Sequence, residues 1–247
     1  MKRTVAEKIL IETEKGYDLI SGKFSQTRKN FWASLEFIGE YVKDGDKVFD
    51  FGCGNGRLFE FLNGKAKIEY WGADVSRGLI DIAKSKYQDK APEFDSESES
   101  NSGKAHFLKI NSGQTSLAFE DGFFNTTYSI AVFHHIPGAE LRAKLARELF
   151  RVTKPGGRIV VTVWNLWQKK YFKNIFQNWK NRVMGKSELA WNDCYISFTD
   201  NQGNKFQRFH HAFTKKELKS LFKVAGFEIE RCEIVAGRNI VYIGKKK

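Results

Sequence analysis

Two hydrophobic patterns alternate along the first two thirds of the chain. The compact apolar runs "KVFDFGC", "IEYWGADVS", "HFLKIN", "FFNTTYSIAVF" and "RIVVTVW" have the length and composition of buried strands. Between them, "GRLFEFL", "RGLIDIAKSKY" and "GAELRAKLARELFRVT" repeat apolar residues every three or four positions, the spacing of a helix with one buried face. Upstream, Trp32, Leu35, Phe37, Ile38 and Tyr41 are also spaced roughly helically, until "DGD" at 44–46 breaks the pattern. "KPGG" closes the helix before the fifth strand. Strands that alternate with helices predict an α/β fold, a parallel sheet with helices on both faces.

After Trp164 the rhythm changes. "NLWQKKYFKNIFQNWKNRVMG" is basic and aromatic and reads as an inserted helix, followed by a polar turn, "TDNQGN". The stretch "KFQRFHHAFTKKELKSLF" leads into another helix. "FEIERCEIV" and "NIVYIGKKK" then predict a sixth and a seventh strand, antiparallel to each other, closing one edge of a seven-stranded sheet. Residues 92–105, "PEFDSESESNSGKA", are polar, acidic and serine-rich and read as a flexible surface insertion. The expected organisation is one domain over 1–247, with insertions at 92–105 and, on the basic side, at 165–212.

Composition narrows the class. At 247 residues and 41% hydrophobic, the chain can bury a sizeable core. The N-terminal twenty residues mix charges with apolar side chains, which argues against a signal peptide or a membrane span. Cys53, Cys194 and Cys232 are scattered, without the paired spacing of a disulfide framework or a cysteine-built zinc site. A reducing, cytoplasmic setting is expected, and no metal site. The formal net charge is +12, and it is unevenly placed. Residues 1–166 carry 24 basic against 22 acidic side chains, whereas residues 167–247 carry 17 against 7. A polyanion such as RNA would suit the last third; so would a merely lysine-rich surface.

The candidate chemistry begins at "VFDFGCGNGRL", where Asp50, Gly52, Gly54 and Gly56 follow the first strand. Glycines there let the backbone turn closely around a ligand into a helix N-terminus. Asp74, at the tip of the second strand in "GADVS", is in place to accept ribose hydroxyls. A dinucleotide enzyme has a related loop, but the spacing here is GxGxG, with no glycine at the third GxGxxG position. With the strand pair at the end of the chain, the pattern resembles the class I S-adenosylmethionine-dependent methyltransferases, whose fold is Rossmann-like with an antiparallel last strand. "SIAVFHHI" and "LFRVTKPGGRIVV" resemble later motifs of that superfamily. The resemblance implies S-adenosylmethionine as cofactor. Asp50 and the glycine backbone would take its methionine part, and Asp74 its ribose. Ser76, Leu79, Asn111 and Ser112 would lie beside its adenine, with Ile130 and Ala131 forming the floor. The family usually has an aspartate where "INSGQTSLAF" supplies Asn111.

Three further pieces resemble one group, the tRNA wobble-uridine carboxymethyl methyltransferases, including the methyltransferase domain joined to an AlkB-like hydroxylase in animals. "YDLISGKFSQTRKNFWASL" is similar to that group's "Y…FSxTRxxxW" stretch, "VWNLWQ" to its "VWAxEQ", and "RFHHAFTKKEL" to its "RYYHxFxxxEL". The ending "GRNIVYIGKKK" is similar to its "DNWWVI", with Asn239 in register. The resemblance implies methyl esterification of 5-carboxymethyluridine in the tRNA anticodon region, with a small zinc-bearing activator subunit as a possible partner. A carboxylate is ionised at neutral pH and is its own nucleophile, so this chemistry needs alignment and anion binding more than a base. Arg28, His135, Arg208, His211 and Asn239 are the candidates on the substrate side. The basic, aromatic stretch 164–182, with Trp164, Trp167, Lys169, Lys170, Lys173, Trp179, Lys180 and Arg182, would meet RNA by charge and stacking. Two rival readings stand beside it. One is a methyltransferase for a metabolite acid, quinone or lipid precursor; the other is a non-catalytic RNA-binding relic of the fold.

Overall fold

The computed structural model describes residues 1–28, 30–88, 103–199, 203 and 205–247. In chain order the elements are α1 (Arg3–Thr27), a run of 3-10 turns (Ala33–Tyr41), β1 (Lys47–Phe51), α2 (Arg57–Asn63), β2 (Glu69–Asp74), α3 (Arg77–Tyr87) and β3 (Lys104–Lys109). Then come β4 (Phe124–Ile130), α4 (Ala139–Val152), β5 (Thr153–Trp164), α5 (Lys169–Val183), β6 (Asp193–Thr199), β7 (Lys205–His211), α6 (Lys215–Ala225), β8 (Glu228–Val235) and β9 (Asn239–Lys245).

Seven strands form one sheet in the order β3-β2-β1-β4-β5-β9-β8. Strands β1 to β5 pair in parallel, while β9 runs antiparallel to both β5 and β8. The last strand thus slots between the fifth and sixth, so the edge is closed by β8 and not by the end of the chain. Alternation along the strands feeds two cores. Phe49, Ile159, Val161, Ile240 and Tyr242 face α4 and α6, packing with Leu145, Leu149, Leu218 and Phe222. Val48, Val160, Val241 and Ile243 face the other side, against Leu35 and Ile38, Leu58 and Leu62 of α2, and Ile80 and Ala83 of α3. Helices therefore cover both faces, as the hydrophobic pattern predicts.

Three local readings change. The stretch 32–41 winds as 3-10 turns and not as an α-helix. "KPGG" lies within β5 and not ahead of it: the β4–β5 register jumps between Phe124↔Thr153 and Thr126↔Arg158, so Lys154–Gly157 bulge out of the ladder. The insertion expected at 92–105 lies outside the described residues up to 102, and Lys104 and Ala105 already belong to β3.

The basic segment 165–212 contains α5 and a separate two-stranded antiparallel sheet, β6-β7. The hairpin lies against α1. Phe206 of β7 packs so closely on Gly16 that a Cβ there would come within 2.4 Å of its ring, and Lys23 donates to the Thr199 carbonyl at 2.9 Å. Asp18 ties α1 to the sheet domain, accepting from the Ser76 hydroxyl at 2.6 Å and the Gly78 amide at 3.1 Å. α1 and β7 together roof the mouths of β1, β2 and β4.

Candidate active site

A cleft with about 1280 Å³ of empty space, its open mouth included, runs between that roof and the strand ends. The half around the glycine loop, where the cofactor is expected, is built largely by backbone. Gly52, Gly54 and Gly56 have φ of +83°, +57° and +78°, the left-handed region that side chains avoid. A Cβ on Gly52 would fall 2.2 Å from Val132, and one on Gly56 would meet the rings of Tyr87 and Phe107. These two glycines are fixed by packing, whereas the space over Gly54 is open, the nearest atom at 3.5 Å being on the Phe24 ring. Asp74 clamps the loop: its carboxylate accepts from the Gly54 amide at 2.9 Å and the Ser76 amide at 2.8 Å.

Asp50 is provided for differently. One carboxylate oxygen accepts from the Tyr70 hydroxyl at 2.6 Å; the other is buried with no partner among the described residues. Burial pushes this carboxyl up to about 7, against the opposing pull of the Tyr70 hydroxyl. An unsatisfied, desolvated carboxylate at the floor of a cleft fits a cationic ligand group, and a methionine-type ammonium is one. Ala131 sits nearby at φ 62°, strained for a residue with a side chain. It is held there by the carbonyl and hydroxyl of Thr162, which accept from its amide at 2.9 and 3.0 Å.

The opposite half, where the substrate is expected, is built by side chains from three distant segments. Burial of both nitrogens fixes the state of His135. Nδ1 lies 2.9 Å from the Phe209 carbonyl and must donate to it, so Nε2 accepts from the Tyr17 hydroxyl at 2.8 Å. Burial lowers its pKa to about 3, so the ring is neutral and fully engaged at physiological pH; it orients Tyr17 and is not poised as a base. Burial also pushes the Tyr17 hydroxyl up, against the pull of Arg208. Arg208 is 7% exposed, its guanidinium lying over the rings of Phe198 at 4.8 Å and Trp164 at 5.6 Å. Its Nε has no hydrogen-bond partner, and no carboxylate among the described residues pairs with it. Arg28 stacks on Phe24 at 4.2 Å on the same wall.

Of the residues expected from sequence, Arg28, Asp50, Gly52, Gly54, Asp74, Leu79, Asn111, Ser112, Ile130, Ala131, His135 and Arg208 line this one cleft. Gly56, Ser76, His211 and Asn239 do not. Ser76 is fully buried, accepting from the Leu79 amide as the N-cap of α3. His211 is locked between two carboxylates, Asp193 at 2.6 Å and Glu217 at 2.7 Å, with Arg142 also reaching Glu217 at 3.7 Å. That network joins the hairpin to α4 and α6. Asn239 opens β9, paired with Trp164 and Val235 at the end of the ladder. Tyr17 and Arg57 line the cleft and were not singled out by residue type. Tyr17 sits in the quoted "YDLISGKF" stretch, so its position was on view although its role was not.

His134, His135 and His210 bring ring nitrogens within 4.8 Å of one another. Their tautomers do not suit a metal. His134 Nδ1 accepts from the Trp164 amide at 3.3 Å, leaving the proton on Nε2, and both nitrogens of His135 are engaged. His210 Nδ1 donates to the Arg208 carbonyl at 2.9 Å, so His210 Nε2 is the single free lone pair of the three.

A family described as a methyltransferase domain matches residues 24–231. This chain belongs to it. Its fold is shared with a solved S-adenosylmethionine-dependent methyltransferase of Methanosarcina mazei, at TM-score 0.67 and 23% identity, covering 88% of this chain and 98% of that one. It is also shared with a complex of the Haloferax volcanii Trm112 methyltransferase activator and a putative methyltransferase, at TM-score 0.63 and 16% identity over 94% and 96%. Among curated relatives, tRNA (carboxymethyluridine(34)-5-O)-methyltransferases of Arabidopsis thaliana and Xenopus tropicalis are 31% and 32% identical over 60% and 65% of this chain. The chain spans 31% and 22% of the length of those two proteins. A putative methyltransferase of Encephalitozoon cuniculi is 28% identical over 86% of this chain and 85% of its own length.

The methyltransferase thus uses S-adenosylmethionine, and the free oxygen of Asp50 would give its ammonium a partner. Bound there, the cofactor supplies an electrophilic methyl group on its sulfonium. Asp50 and the glycine loop would hold that group, with α1 across the cleft from them. Among the described residues no helix is long and apolar enough to cross a membrane.

Proposed function

We propose that this methyltransferase esterifies the carboxylate of 5-carboxymethyluridine at the tRNA wobble position. The observation that carries the reading is Arg208, a buried guanidinium with no carboxylate partner among the described residues, lining the cleft. A buried charge is costly unless paired, so the site is complete only with an anion. Arg208 and Arg28 would hold the substrate carboxylate by charge-assisted hydrogen bonds, with the Tyr17 hydroxyl beside them. The carboxylate attacks the methyl carbon directly, and no proton has to move; a neutral, fully bonded His135 is consistent with chemistry that uses no base. The names of the relatives, and the 17 basic against 7 acidic residues over 167–247, support tRNA over a free acid. His211 supports the site indirectly, by anchoring the strand that carries Arg208. An activator subunit belongs to the reading, through the resemblance and through the archaeal complex of the same fold.

The test is nucleoside mass spectrometry of tRNA carrying carboxymethyluridine, incubated with cofactor and the protein, with and without an activator of the archaeal type. The expected product is the methyl ester. Methylation of a free metabolite acid, with tRNA untouched under both conditions, overturns the proposal.

A further inference from the structure

Among the tryptophans of the basic segment, Trp167 and Trp179 are not stacking platforms. Their indole N–H groups donate to the carbonyls of Phe213 at 3.0 Å and Trp191 at 2.7 Å, and both rings pack on the small core around Leu166 and Ile175. What α5 turns outward is different. Lys169, Phe172, Lys173, Phe176 and Lys180 are all exposed, and their spacing of three and four residues puts them on one stripe. Phe172 is 43% exposed and Phe176 56%, and their rings lie nearly parallel, 20° apart, at 6.4 Å between centroids.

We propose that this stripe is a docking surface for single-stranded RNA flanking the nucleotide in the cleft. The inference rests on the tRNA reading and deepens it by placing the substrate's path. Three observations carry it. First, every exposed ring has a lysine one turn or less away, and no acidic residue occurs from 165 to 187, so the face complements a polyanion with stackable bases. A protein-docking face would be more continuously apolar. Second, the helix is anchored by its other side, through Ile175, Asn178 and Tyr171, which leaves the stripe, apart from the edge contact of Phe172 with Trp179 at 6.0 Å, without a partner among the described residues. Third, the helix that carries the stripe starts beside the cleft. Tyr171, in its first turn, stacks on Trp164 at 6.2 Å, and Trp164 lines the cleft under the Arg208 guanidinium. From Lys169 to Lys180 the stripe runs roughly 16 Å at the helical rise, room for several nucleotides.

The experiment compares wild type with Phe172→Ala/Phe176→Ala and Lys173→Glu/Lys180→Glu. It measures binding of a fluorescent single-stranded RNA of anticodon-loop sequence across a salt series, and methylation of whole tRNA. All five stripe positions are solvent-facing, so both variants should keep the wild-type melting temperature and cofactor affinity. Each should bind RNA at least about tenfold more weakly. The charge variant should also flatten the dependence of log affinity on log salt by about 1.4, while the aromatic variant leaves that slope unchanged. RNA binding equal to wild type in both variants, or a wild type that binds no RNA, overturns the inference. So does a loss of binding to anionic phospholipid vesicles with RNA binding intact. A wild type that binds RNA through the stripe but esterifies no tRNA overturns the functional reading alone; unchanged KM for tRNA in variants that still esterify it overturns the stripe alone.

Discussion

The two halves of the cleft solve the same problem, a buried charge waiting for a ligand, by different means. On the cofactor side, Asp50 sits at the end of a strand within eight residues of the loop that surrounds it, and backbone amides and packed glycines do most of the shaping. On the substrate side, Tyr17, His135 and Arg208 come from α1, the turn after β4 and β7, and are aligned by contacts between distant parts of the chain, 118 residues apart for Tyr17 and His135 and 74 for His135 and the Phe209 carbonyl. The first half is a local device of the chain and tolerates little change in backbone. The second is an assembly, and it depends on the roof staying docked.

That contrast can be broken at its strongest point by Arg208→Ala. Charge-assisted hydrogen bonds at about 1.5–3 kcal/mol each put the expected loss of tRNA methylation at about 100-fold, read by single-turnover kinetics. Cofactor affinity, read by calorimetry, should stay within about threefold; an equal fall in both would merge the two halves into one. His211→Ala attacks the assembly from outside the cleft. It strips Asp193 of its buried partner, and denaturant unfolding should report a loss of about 3–5 kcal/mol.

Asp50→Asn should separate stability from binding. The folded carboxyl has its pKa raised to about 7, above the unfolded value, so the folded state holds the proton more tightly. Between the two values stability falls as pH rises, and the ionised form above about 7 is the costly one. The neutral asparagine should therefore raise the melting temperature of the ligand-free protein above neutral pH while weakening cofactor binding at least about tenfold. In the wild type, cofactor affinity should climb with pH until Asp50 is ionised, past about 7, and then level off; a flat profile would deny Asp50 the ammonium. The smallest expected effect is that of Tyr17→Phe, which leaves His135 Nε2 without a donor and should cost about 1 kcal/mol of stability with the cofactor site intact.

The strands of the sheet and the glycine loop were legible because each declares itself locally, as a short apolar run or as glycines between a strand and a helix. The β6-β7 hairpin was not. From Arg208 to His211 every residue of β7 is buried, yet the sequence there is arginine, phenylalanine and two histidines, so neither alternation nor an apolar run announces a strand. The same concealment separated the two histidines. His210 packs among the rings of His134, His135 and Trp164, while His211 faces the other way into Asp193 and Glu217, a consequence of the two-residue period of a strand that sequence alone had not placed.

By itself the amino-acid order determined the parallel α/β sheet, the glycine loop at its first strand and the basic bias of the last third, because each is written within a dozen neighbouring residues or in composition. Tertiary structure decided which cations face the cleft, which histidine is neutral and engaged, and which aromatic rings of α5 are free. Those properties are set by burial and by partners distant in sequence, and desolvation acts on a side chain only once the fold has closed around it.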